Sequence, residues 1–267
     1  MTGIYTHGHH ESVLRSHSWR TAENSAGYLL DHLRPGMDVL DVGCGPATIT
    51  ADLAHLVAPG RTVGVDVAPG IVVQAAALAA ERGSAHLVFA TASVDALPFA
   101  GATFDVAHAH QVLQHLPHPV RALREMRRVL RPGGLLAVRD SDYTARAYAP
   151  RDPLLDRWLE LYHQVTAHNG AEADAGRHLL GWARAAGFED VRASSSTWTF
   201  ADPRTRAWWG GLWADRVRKS AFADQAVEYA LSTPDELAAI AAAWRRWAEH
   251  PDGFLAILHG EVLARRP

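Results

Sequence analysis

Lysine is nearly absent from this sequence. Of twenty-six lysines and arginines together, one is a lysine, Lys219, and twenty-five are arginines. A P-loop grips phosphates with Gly-Lys-Ser/Thr, but Lys219 follows Arg218, so a nucleotide triphosphatase of that type is excluded. Short-chain dehydrogenases use a Tyr and a Lys four residues apart, and here the residue four before Lys219 is Asp215. Cysteine is as scarce, and Cys44 alone cannot close an internal disulfide. Residues 1–11 lack the apolar centre of a secretory signal, so a reducing, cytoplasmic location is expected. No run of about 18 apolar residues is free of charge, which argues against a membrane span. A net charge of −3 gives no general attraction to nucleic acid, and the Asp/Asn-Pro-Pro-Tyr signature of amino-methylating nucleic-acid enzymes is missing.

What is present alternates. Short apolar runs bounded by Gly, Pro or Asp are followed by stretches with apolar residues at helical spacing, the pattern of a parallel sheet with crossover helices. The strands read as 38–42, 62–66, 86–91, 104–110 and 135–139, with helices over 48–56, 70–82 and 120–130. Arg131-Pro132-Gly133-Gly134 is expected to turn the chain out of the last of these helices. A helix over 176–186, a strand over 190–200 and a final strand over 254–264 follow. The organisation expected is N-terminal lid helices at 1–34, a core at 35–142, a helical cap insertion at 143–175, a core helix and strand at 176–200, a tryptophan-rich helical cap at 201–252, and a last core strand at 253–267. Connections as long as the two caps are rare without a purpose in compact domains.

Val39-Leu40-Asp41-Val42-Gly43-Cys44-Gly45-Pro46-Ala47-Thr48 sets a strand, an acid, a glycine turn and a helix start in succession. Glycines let backbone approach a ligand where a Cβ would clash. A dinucleotide site would want a third glycine at Thr48, so no diphosphate cradle is complete. An acid just before the turn suits a cationic ligand end instead, such as the ammonium of S-adenosylmethionine (SAM). Asp66, at the tip of the second strand, can accept from both hydroxyls of a ribose.

The segments DVGCGPAT, VGVDVAP, ASVDALPF, FDVAHAHQVLQHL and LREMRRVLRPGG resemble the successive motifs of class I SAM-dependent methyltransferases, in the small-molecule branch that includes ubiquinone and menaquinone biosynthesis C-methyltransferases. The resemblance covers residues 37–142. It implies a Rossmann-like α/β fold with a seven-stranded, mostly parallel sheet, whose reversed last strand would be 254–264, and a helical cap. It also implies that Asp41, Gly43, Cys44 and Gly45 line the methionine end of SAM, that Asp66 and Val67 meet the ribose and adenine, and that Ser93 and Val94 meet the adenine, with S-adenosylhomocysteine as the product. Ala47 stands where many relatives have glycine, and Ser93 where many have aspartate. These departures motivate a second reading, in which SAM is a structural or regulatory ligand or serves a reaction other than methylation. Turnover to S-adenosylhomocysteine separates the two.

Transfer from a sulfonium needs an aligned nucleophile in a dry pocket, and a base is optional. His108 and His110 share one face of the fourth strand, and Gln111 follows at its tip. His110 and Gln111 are the candidate catalytic floor, with His110 also placed to touch the cofactor. Asp140, leaving the fifth strand, is a candidate base or orienting group. His110, His115 and His118 lack a suitable further ligand, so no metal is assigned. An N-terminal extension that folds over the cofactor would bring Tyr5 and Arg20 to it. Seven tryptophans lie beyond residue 180. Those in Arg206 to Trp213, beside two glycines, suit a pocket for a flat acceptor of secondary-metabolite or quinone-like type. The expected partner is a small molecule, and a homodimer is compatible with this reading.

Overall fold

The computed structural model describes residues 19–83 and 86–267. A seven-stranded sheet contains β1 (Val39–Val42), β2 (Thr62–Asp66), β3 (Leu87–Thr91), β4 (Phe104–His110), β5 (Leu130–Ala149), β6 (Glu189–Phe200) and β7 (Phe254–Arg265). The order across it is β3-β2-β1-β4-β5-β7-β6. The first five strands pair in parallel, and β7 runs antiparallel to both β5 and β6.

β1 is buried throughout, since helices cover both faces of a sheet of this kind. On one face lie α1 (Ala22–Leu30) and α2 (Thr48–Val57), whose Leu29, Leu53 and Val57 pack with Val39, Val106 and Ala137. α3 (Pro69–Glu81) lies along β3. On the other face, α4 (Pro119–Val129) brings Leu123 and Met126 against Leu40, Leu136 and Val138. Further along the chain come α5 (Pro153–His168), α6 (Leu179–Ala185), α7 (Pro203–Lys219), α8 (Ala221–Glu228) and α9 (Pro234–Glu249). α6 joins α4 through Leu179 and Ala183.

The remaining four helices pack with one another through Trp158, Trp213, Trp244 and Phe222. The Trp158 ring meets Trp213 edge-on at 4.5 Å and Trp244 at 4.9 Å. Such pairs add about 0.5–1.5 kcal/mol each beyond the area they bury. α5, α7 and α9 each open on a capping side chain followed by proline, namely Asp152-Pro153, Asp202-Pro203 and Thr233-Pro234. The cap accepts an otherwise orphaned N–H, and proline has none to lose at the first helical position.

β5 departs most from the sequence reading. It spans 20 residues instead of the five expected, and the boundary expected at 143 falls inside it. The Arg131–Gly134 turn persists as a kink within the strand. Gly133 takes φ +75°, and pairing with β4 passes from Leu130 opposite Phe104 to Leu135 opposite Val106. Farther on, the partner of Asp142 is Leu258 and that of Arg146 is Ile257, so residues 143–145 bulge out of the ladder. Arg177 clamps the bulge by donating twice to the Asp142 carboxylate, at 2.6 Å each. No helix among the described residues is long and apolar enough to cross a membrane.

Candidate active site

A cavity of about 230 Å³ opens along the C-terminal ends of the strands, where ligands bind in sheets of this type. The next depression, about 90 Å³ beside Leu135 and Arg265, borders none of the predicted site residues.

The first half of the chain lines one end. Gly43 and Gly45 take φ +66° and +55°, and Ala47 takes φ +67° at the start of α2. A Cβ on Gly43 would overlap the Val112 side chain, so the turn is pressed against the loop that follows β4. Ala47 accepts a left-handed conformation that glycine would adopt without strain. Asp66 accepts the Gly45 N–H at 3.2 Å and the Ala68 N–H at 3.0 Å, one on each oxygen. Each oxygen keeps a lone pair, which is what a ribose diol needs. Val67, Ser93 and Val94 border the same end. The Ser93 hydroxyl already accepts the Asp95 N–H at 3.2 Å, and Asp95 itself adds a carboxylate there that the sequence reading passed over. Cys44 is buried, and burial together with Asp41 and Asp66 pushes its thiol up, so it remains protonated. The glycine turn and the half-satisfied Asp66 carboxylate fit SAM.

Asp41 borders the cavity, but its carboxylate is not free as expected. One oxygen meets His108 Nδ1 at 2.7 Å and the other accepts from Thr50 Oγ at 2.6 Å. The register causes this: β1 pairs Asp41 with His108 on β4, and α2 passes Thr50 over the same face. Asp41 thus braces the two strand tips and offers an ammonium only its remaining lone pairs.

Residues from His110 onward, with Arg20, line the other end. His110 ends β4, is 5% exposed, and has no partner for either ring nitrogen among the described residues. Burial, then the charges of Arg20 and Arg139, hold its pKa well below 6.5, so the imidazole is neutral. Trp198, on β6, stands 5.5 Å from it, ring to ring. Gln111 borders the cavity, and Arg20 donates to its side-chain oxygen at 2.6 Å. Burial, then Arg20 and Arg216, push His115 down to about 3. Trp209 lines the cavity as part of the aromatic run singled out in the sequence, whereas Trp208 and Trp213 do not. Tyr143 reaches it from the β5 bulge, and Ser141, Arg216 and His259 also border it. The sequence reading missed these four. His259 had one signal, as a lone imidazole directly after the apolar run Leu255-Ala256-Ile257-Leu258. Tyr5 lies outside the described residues. Among the described residues no group of three or more His, Cys, Asp or Glu is arranged to hold a metal.

Asp140 does not line the cavity. Strand alternation puts it with Leu136 and Val138, on the sheet face opposite His110, where it accepts the Gln114 N–H at 3.1 Å. It is fully buried, its second oxygen has no partner among the described residues, and burial raises its pKa from 3.8 to about 8. A raised carboxyl favours folding fully below pH 3.8 and loses that contribution as pH rises towards 8. Asp140→Asn is therefore expected to remove a stability loss of roughly 1.4 kcal/mol per pH unit, on the order of 4 kcal/mol between pH 5 and 8; the amide's own unmet donors lower stability equally at every pH. Thermal unfolding at both pH values checks this. Parallel wild-type and variant pH dependences would show that Asp140 is ionised in the folded state.

The comparisons agree with this geometry. The methyltransferase-domain family profile matches residues 33–189. An uncharacterized methyltransferase of Schizosaccharomyces pombe is 33% identical, the match covering 98% of this chain and 96% of that protein. Nocamycin O-methyltransferase of Saccharothrix syringae is 30% identical over 78% of this chain and 76% of its own. Among solved structures, the 4+2 cyclase SpnF shares 25% identity at a TM-score of 0.56, covering 100% of this chain and 87% of that one. Sheet order, glycine turn and whole-length similarity together assign the chain to the class I SAM-dependent methyltransferases, with SAM as its cofactor.

Proposed function

We propose that the enzyme methylates a hydroxyl oxygen on a small, flat, ring-bearing acceptor. The observation that carries this reading is the neutral His110 imidazole at the tip of β4, with both ring nitrogens unpartnered among the described residues, beside the Gln111 amide and against the Trp198 indole. When bound, SAM would supply a methyl group on a cationic sulfur, with S-adenosylhomocysteine as the product. Asp66 would hold its ribose, the turn of Gly43, Cys44 and Gly45 would pass its methionine end, and Ser93 with Val94 would flank its adenine. His110 accepts the hydroxyl proton as oxygen forms its bond to the methyl carbon. Trp198 and Trp209 give the acceptor ring apolar walls and keep water from the reacting oxygen. An amine acceptor fits less well, since it arrives mostly as its ammonium, which Arg20, reaching Gln111 at the same floor, would repel before the nitrogen lost its proton. The name of the Saccharothrix syringae relative, an O-methyltransferase, supports the choice of oxygen.

Calorimetry with S-adenosylhomocysteine and turnover of a phenol panel test the reading. Asp66→Ala should weaken nucleoside binding by about 1–3 kcal/mol, because ribose hydroxyls lose their acceptor. Unchanged affinity would move the adenosine elsewhere. Methylation of amines with none of phenols would sink the hydroxyl assignment. A second reading, SAM bound without methyl transfer, has the full-length likeness to a cyclase in its favour, and tight binding with no S-adenosylhomocysteine release from any acceptor would select it.

A further inference from the structure

Gln111 is held in a conformation that its side chain disfavours. Its φ is +53°, and its backbone N–H is tied to the Arg139 carbonyl at 2.7 Å. Strain of this kind persists only where surrounding contacts enforce it, and it gathers at functional sites. The side chain is tied as well. Arg20 donates to its oxygen at 2.6 Å, and its nitrogen stands 2.8 Å from His259 Nε2.

The direction of that last bond follows from the partners. An amide nitrogen only donates, so His259 Nε2 accepts. His259 Nδ1 lies 3.1 Å from the Ile257 carbonyl, which only accepts, so the proton sits on Nδ1. Both neighbours thus select the same tautomer. His259 is fully buried, Trp198 packs 4.4 Å from its ring, and burial followed by the charge of Arg139 keeps its pKa well below 6.5. It stays an acceptor across the working pH range. Gln111 donates one N–H to it and, among the described residues, has no recorded partner for the other.

We infer that His259 is a positioning residue: by accepting one N–H of Gln111 it fixes the amide so that the second N–H serves the acceptor oxygen. The inference rests on the hydroxyl reading above. A hydroxyl satisfies both groups at once, giving its proton to His110 and accepting from Gln111. A neutral amine, the form that can take a methyl group, has a single lone pair that must face the methyl carbon, so none is left to accept that N–H. Specificity for oxygen therefore comes from the last strand of the sheet, through a residue that need not touch the acceptor.

The test uses 4-nitrophenol and the full chain saturated with S-adenosylhomocysteine. Visible absorption distinguishes bound phenolate from phenol, and the wild type should bind the probe with its ionisation shifted to lower pH. His259→Leu should weaken probe binding about three- to tenfold, the loss of one hydrogen bond, and move the ionisation back towards that of the free probe, with nucleoside affinity unchanged. His259→Gln offers an acceptor oxygen at similar reach and should restore both to within about threefold. If Gln111→Leu loses the shift but His259→Leu keeps it, the positioning role is wrong and the hydroxyl reading stands. If His259→Gln is as impaired as His259→Leu, with nucleoside binding intact, His259 only packs and the inference falls. Failure of the wild type to bind the probe, or indifference to Gln111→Leu, would overturn the hydroxyl reading and this inference together.

Discussion

His110→Asn is expected to lower kcat by about 10²–10⁴-fold while leaving S-adenosylhomocysteine affinity almost unchanged, the effect of removing a positioned base without disturbing the nucleoside end. The unusual part is the pH dependence. An exposed histidine would give the rate a rising limb near 6.5 as it lost its proton. His110 is buried and faces the charges of Arg20 and Arg139, so its folded-state pKa lies well below that value and the imidazole is unprotonated at neutral pH, a weak base that acts only as the oxygen bonds to the methyl carbon. Any rising limb near neutrality therefore belongs to the acceptor and should survive in the variant. A limb near 6.5 that vanishes with His110→Asn would mean that the imidazole is solvated and titrates normally. Retention of wild-type kcat would remove it from the chemistry altogether.

Gly260→Ala is expected to destabilise the fold by about 3 kcal/mol or more, measured as a fall in the chemical denaturation midpoint. Here the obstacle is backbone. A Cβ on Gly260 would lie 2.5 Å from the Gly176 carbonyl carbon and 2.8 Å from its Cα. From the other side, a Cβ on Gly176 would lie 2.7 Å from the Gly260 nitrogen and 2.8 Å from the Asp140 carbonyl. Neither partner can rotate away as a side chain would, so the short helical turn Ala175–His178 would have to lift off the sheet. Overpacking against side chains costs about 1–3 kcal/mol, and contact between backbones belongs at or above the upper end. An unchanged midpoint would show that the turn is free to shift. Because Gly260 follows His259, residual folded variant should also bind the acceptor poorly.

Much of the core was legible because each signal was local. β1 to β4 follow from apolar runs with Gly and Asp at their ends, and Asp66 from its place at a strand tip after a glycine turn. The starts of α5, α7 and α9 were legible too, as Asp-Pro or Thr-Pro pairs, although the sequence reading made no use of them. What escaped depends on partners distant in sequence. The length of β5 depends on β7 continuing to pair beyond a bulge that Arg177 holds, and no period in residues 140–149 reveals that. Asp140 was misjudged through alternation: counting from Leu136 and Val138 places it away from His110. Asp41 looked available because its sequence neighbours do not show that His108 stands opposite. His259 was hidden in a strand read only as a strand.

The seam in the cavity has a consequence for how such enzymes diversify. Apart from Arg20, the cavity is lined by residues 41–95 and 110–259, which in the proposed reading hold the nucleoside and the acceptor respectively. β7, entering in reverse between β5 and β6, delivers His259 to the acceptor end without crossing the glycine turn. In that reading, drift in the later three-fifths of the gene can retarget the enzyme to new compounds while the grip on the methyl donor is inherited intact.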